Sequence, residues 1–101
     1  MRLEVDKSYY ARDADADLSD DTRWLFRIVY LYKLGKRKYF LGIKIDQDSM
    51  LPLMECGQQE WFDAAGNSVR NHGDTGSTDR TMAVFQDEAD SILRFRIVSE
   101  F

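Results

Sequence analysis

The sequence predicts an α+β fold: an antiparallel β-sheet built from hairpins, with one short C-terminal helix packed on it. Three observations predict it. Two aromatic and β-branched runs, 24–33 and 39–46, flank a glycine-first turn. A second apolar stretch breaks around Asp63 and Gly66. The C-terminal stretch opens on acidic residues and continues with apolar ones at helical spacing.

The first hairpin is the clearest element. Trp24 to Lys33 and Tyr39 to Asp46 are rich in residues that suit a pleated, half-buried surface. Between them, Leu34-Gly35-Lys36-Arg37 suits a two-residue turn with Gly35 first, where a type II′ turn needs positive φ. That register sets Tyr32 opposite Tyr39, Tyr30 opposite Leu41, Ile28 opposite Ile43 and Phe26 opposite Ile45, all on one face. The other face carries Lys33 with Lys38, Leu31 with Phe40, Val29 with Gly42 and Arg27 with Lys44. It is half apolar, which predicts that it too is partly covered.

A second hairpin is expected over 60–69, where Asp63 can open a turn and Gly66 can take the left-handed position that closes it. Residues 71–80 contain no apolar side chain and two glycines, which reads as a surface loop. Thr81 to Phe85 reads as a short strand. Asp87 with Asp90 imitates a capping box, and Ala89, Ile92, Leu93 and Arg96 share a helical face, so a helix is expected over 87–95. The competing pattern is Leu93, Phe95 and Ile97 alternating with Arg94, Arg96 and Val98, as in a strand.

At 101 residues the chain makes one domain, 1–101, with no room for a second core. Its single cysteine, Cys56, excludes an internal disulfide framework. The amino terminus lacks an apolar signal region and no apolar run approaches a membrane span, so a cytoplasmic protein with no membrane contact is expected.

Charge is sorted into blocks. Residues 22–45 carry seven basic side chains and no acidic one, in a chain of net charge −4. Poles of this kind steer partners rather than support a core. The acidic block Asp13, Asp15, Asp17, Asp20 and Asp21 is the sharpest local signal. It has calcium-loop spacing at positions 1, 3, 5 and 9, but Leu18 stands where such a loop needs glycine and Trp24 where it needs a bidentate glutamate, so no metal is expected. In an extended chain Asp13, Asp15 and Asp17 would line one side about 6.6 Å apart and imitate nucleic-acid phosphates. Trp61, exposed beside this patch, would be an aromatic anchor for a protein partner. The alternative surface is basic: Arg27, Lys33, Lys36, Arg37, Lys38 and Lys44 could contact phosphates, with Tyr32 and Tyr39 near for stacking.

Catalytic patterns are thin. His72 and Cys56 are the only residues of their kinds, so no ordinary zinc site is expected, and two residues sixteen apart establish no dyad. The loop Gly73 to Thr78 lacks the order of a phosphate cradle. No catalytic residue and no cofactor is expected.

Phe85-Gln86-Asp87-Glu88-Ala89-Asp90-Ser91-Ile92-Leu93-Arg94-Phe95-Arg96-Ile97 resembles an acidic-then-amphipathic segment near the ends of various small phage-encoded proteins. The resemblance implies a phage or mobile-element origin and transfers no site residue.

The expectation is therefore a small non-enzymatic inhibitor or adaptor of the anti-defence or anti-CRISPR kind. It would dock on a host protein or nucleoprotein complex through its acidic surface and block a nucleic-acid groove. The alternatives are a nucleic-acid-binding accessory protein using the basic hairpin, and a structural component of a virion or other assembly.

Overall fold

A computed structural model describes residues 2–17, 19–53, 59–69 and 94–101. Five strands form one sheet: β1 (Ser8–Asp13), β2 (Trp24–Leu34), β3 (Arg37–Ile45), β4 (Gln59–Asp63) and β5 (Phe95–Glu100). Their order is β4-β3-β2-β1-β5, and every neighbouring pair is antiparallel.

The described fold is all-β, which corrects the expected α+β class. No helix occurs among the described residues. Residues 87–93 of the expected helix lie outside them, but its end does not, and Phe95 there opens β5. The strand pattern wins for a tertiary reason. Phe95 and Ile97 alternate inward against Arg96 and Val98, and β1 offers an open ladder to pair with. The loop expected over 71–80, the strand over 81–85, and both Cys56 and His72 lie outside the described residues. So do residues 85–93 of the phage-like segment.

The sheet curls until its two edges meet. Phe26 on the central β2 touches Phe62 of β4 and Phe95 of β5 edge to face, at centroid distances of 5.2 and 5.3 Å. The chain after β4 supplies the joint. Phe62 bridges to Ser68 and Asn67 bridges to Arg96. The Ile97 N–H donates to the Gly66 carbonyl at 2.8 Å, and the Ser68 N–H donates to the Phe95 carbonyl at 2.9 Å. Gly66 sits at φ +86°, and a Cβ there would lie 3.1 Å from Ile97, so the approach of β5 needs glycine. The expected turn is present: the Ala65 and Asn67 N–H groups both donate to Asp63 Oδ1 at 2.9 Å.

The core lines the concave face. Tyr9, Ala11, Phe26, Ile28, Phe40, Phe62, Phe95 and Ile97 are buried together, and Leu3 from the N-terminal segment covers them. The Tyr9 hydroxyl holds that segment, accepting the Glu4 N–H at 2.9 Å and donating to the Arg2 carbonyl at 3.3 Å. A second cluster of Tyr39, Trp61 and Val69, with Tyr32, Leu34 and Leu41 against it, covers part of the convex face. The sheet thus has apolar side chains on both faces, but Leu31 and Phe40 of the expected second face join the main core, while Tyr32, Tyr39 and Leu41 of the expected first face make the convex cluster.

The β2–β3 register is as expected near the turn and shifted below it. Tyr32 pairs Tyr39, Leu31 pairs Phe40 and Tyr30 pairs Leu41, whereas Ile28 pairs Gly42 and Phe26 pairs Lys44. Val29 is the extra residue of a β-bulge that exchanges the faces of the two halves of β2. Below it Phe26 and Ile28 point inward; above it Leu31 does. Gly35 is at φ +62° and Lys36 is not in the positive-φ region, the pattern of the expected type II′ turn.

Candidate functional site

The two charge poles sit at opposite ends of β2. The acidic loop precedes Trp24 and the basic turn follows Leu34, so eleven residues of strand separate them. At about 3.3 Å per residue that is roughly 33 Å, and the longest extent of the molecule is 34 Å. The basic tip therefore does not neutralise its own acidic loop. Each pole faces solvent independently, since the screening length is about 8 Å at physiological salt.

Arg12 builds the acidic end. Its Nη2 donates to the main-chain carbonyls of Asp17, at 2.9 Å, and of Asp20. Its Nε is buried and has no hydrogen-bond partner among the described residues. The cation thus grips the backbone and leaves the carboxylates outside. Asp15, Asp17 and Asp21 are exposed. Asp17 Oδ1 accepts the Ser19 N–H and Asp20 Oδ1 accepts the Thr22 N–H, so the loop is a run of turns. This corrects the extended row at 6.6 Å spacing, and strand-like phosphate mimicry does not survive it. Asp13 is half-buried and fixes Trp24, whose Nε1 donates to Asp13 Oδ1 at 3.1 Å. Among the described residues no three His, Cys, Asp or Glu side chains converge as metal ligands would.

The acidic end gains members that sequence reasoning missed. Ile45 pairs Leu25, so the turn after β3 emerges beside the start of β2. Gln47 Nε2 donates to the Arg23 carbonyl at 2.7 Å and ties the two together. This turn is built on Asp46, whose Oδ1 accepts the Asp48 and Ser49 N–H groups at 2.8 and 3.1 Å. It holds Met50 at φ +61°, a conformation uncommon for a side chain of that size. The result is two apolar side chains turned to solvent, Met50 at 43% and Leu51 at 64% exposure, beside Asp46 and Asp48. The register was the available signal, because the strand pairing alone brings residue 46 to this end.

Trp61 is not part of this surface. It lies on β4, 9% exposed, in the convex cluster with Tyr39 and Val69 and edge-on to Tyr30. Its expected role as an exposed anchor is corrected by that burial.

The basic residues divide. Lys33, Lys36, Arg37 and Lys38 are all exposed at the tip, and Lys33 stands directly opposite Lys38. Arg27 lies mid-sheet, 3.9 Å from Asp6. Lys44 is at the acidic end, half-buried, with Nζ 4.2 Å from the Trp24 centroid, 5.4 Å from Phe95 and 5.9 Å from Phe26. Burial, followed by the charge of Arg94, lowers its pKa, against the opposing pull of Asp13 and Glu60. Glu60 is 3% exposed and pairs Arg94 at 3.5 Å. Lys44 is thus a packed cation of the inner face. Tyr39 is 1% exposed, so it is not available for base stacking at the tip.

Acid should loosen the acidic end. Backbone N–H groups of Ser49 and Asp48 hold the Asp46 carboxyl below its usual range, and the N–H and hydroxyl of Thr22 do so for Asp20. A depressed folded-state pKa contributes stability above the unfolded value, about 3.9, that is lost as pH falls through the folded one. The thermal midpoint should therefore hold from pH 7 to about 4 and fall below it. Circular dichroism melts from pH 7 to 2 check this, and a midpoint insensitive to acid would contradict it.

Comparison with known proteins finds no matching family model, no matching curated protein and no matching solved structure. No helix of the described residues is long and apolar enough to cross a membrane.

Proposed function

We propose that the protein is a small non-enzymatic inhibitor or adaptor that works in the cytoplasm and docks on a protein partner through its acidic end. The observation that supports this reading is the pairing of hydrogen-bonded carboxylates with exposed Met50 and Leu51 on one turn-built surface. Charge steers encounter and an apolar centre slows release, which is how small interfaces combine rate with affinity. The partner's surface should be basic. If it normally carries nucleic acid, occupancy by this protein excludes that ligand, as an anti-CRISPR or other anti-defence inhibitor would. A phage-encoded origin, implied by the resemblance of 85–97, fits such a role.

The test is affinity capture from nuclease-treated host lysate, followed by kinetics on the partner retained. The triple variant Asp15→Asn, Asp17→Asn, Asp21→Asn should associate more slowly and with a flatter salt dependence. Met50→Ser with Leu51→Ser should dissociate faster, with affinity down about tenfold or more. Unchanged kinetics in both variants would remove the acidic end from the contact.

A further inference from the structure

We propose that the opposite end of β2 is a second binding site, and that its ligand is the phosphate backbone of nucleic acid. A cleft of about 380 Å³ lies between the hairpin tip and the Asp63–Ala65 turn, lined by Lys36, Arg37 and Lys38. Lys33, outside the cleft's lining, stands opposite Lys38 across the ladder and adds its charge to the tip. Like charges directly opposite on neighbouring strands destabilise a hairpin, and a bound polyanion relieves that repulsion. Among the described residues Asp63 is the single acid lining the cleft, and its Oδ1 already accepts two backbone N–H groups in the turn.

Two features select the ligand. The four cations spread over both strands and the turn, a distribution that suits successive phosphates better than a lone anion. The tip also lacks an open stacking platform, with Tyr39 buried and Tyr32 half-buried. Base reading by stacking is therefore not built in, and the contact is independent of sequence. With the acidic end roughly 33 Å away, one molecule can hold a protein at one pole and nucleic acid at the other. The site rests on the tip alone and stands whether or not the acidic end docks.

Fluorescence anisotropy with labelled 20-nucleotide single strands and duplexes of unrelated sequence tests it, from 25 to 200 mM salt. Both probes should bind at low salt, with little preference between sequences. For the duplex, log affinity against log salt should have a slope of about −3 to −4, the value for four phosphate contacts. Lys36→Glu with Lys38→Glu should lower affinity at least tenfold. Lys38→Glu alone separates function from folding: it turns the Lys33–Lys38 repulsion into an attraction, so the thermal midpoint holds or rises while binding falls.

Absent binding at 25 mM salt, or binding unchanged in the double variant, would overturn the proposal. Full displacement by 10 mM inorganic phosphate would reassign the cleft to a small anion. Sedimentation with phosphatidylserine vesicles in place of nucleic-acid binding would assign it to a membrane, against the proposal. The three-asparagine variant of the acidic end should bind nucleic acid at least as well as the parent, so the failure of either site is seen separately.

Discussion

Ser68→Ala should lower the unfolding free energy by about 2–4 kcal/mol, out of the 5–15 typical of a domain. The Ser68 side chain is 3% exposed, and its Oγ accepts the Arg94 N–H at 2.7 Å and the Phe95 N–H at 2.9 Å. Alanine leaves both donors without this partner, the Phe95 N–H buried and the Arg94 N–H partly buried. A buried orphan costs about 1–3 kcal/mol, and the partly buried one less. The residue also sits where the sheet closes on itself, so the loss falls on the joint between β4 and β5. Urea unfolding checks this, with Ser19→Ala in the exposed loop as the control expected within about 0.5 kcal/mol of the parent. A loss under about 1 kcal/mol for Ser68→Ala would mean that the closure is held by the strands alone.

Gly42→Ala should also destabilise, by about 1–3 kcal/mol, and Gly42→Val by more. The sign is not obvious from local conformation. Gly42 is not among the positive-φ residues, so a side chain is allowed by the backbone, and replacing a strand glycine ordinarily helps by restricting the unfolded chain. Space decides otherwise. A Cβ at this position would lie 2.9 Å from Phe62 Cε2 and 3.3 Å from Phe26 Cβ. Phe62 is fully buried and already edge-on to Phe26, so its ring has nowhere to retreat. Adding Phe62→Leu should recover part of the loss, because the smaller side chain vacates the contested volume. A double-mutant cycle with no coupling between the two positions would show that the clash is relieved elsewhere.

Much of the first hairpin was legible. Gly35 marks its turn, and the Tyr32–Tyr39 and Tyr30–Leu41 pairs follow from counting outward from it. The bulge at Val29 was not, because Trp24 to Leu34 is largely apolar at both parities and a period of two carries no sign of where it slips. The slip is set from a distance. Ile28 exchanges hydrogen bonds with Asp6 and Lys7, and Gly42 admits two rings above it. The C-terminal strand was misread as helix for a related reason. Its residues satisfy both periods, and the free ladder of β1 that chooses between them lies more than eighty positions away.

The acidic end was legible as charge and illegible as shape. Nothing local says that Arg12 will grip the carbonyls of Asp17 and Asp20 in place of their carboxylates. Met50 and Leu51 carry no charge to mark them, and only the placement of the turn shows that they face water. Trp61 erred in the opposite direction, since a tryptophan beside polar residues on a short strand looks exposed until the convex cluster is seen.

The strand order sets a schedule for synthesis. The outer edge of β1 is paired by β5, which is made more than eighty residues later. At about 5–20 residues per second the nascent chain spends several seconds with that edge open. From the synthesis of residue 69 until that of β5, Phe26 has its β4 neighbour but not its β5 neighbour, and the Ser68 hydroxyl has neither of its two donors. Slow or interrupted translation beyond residue 69 therefore leaves a sheet with one unpaired edge and part of its aromatic core in water, the form most prone to aggregate and most in need of a chaperone.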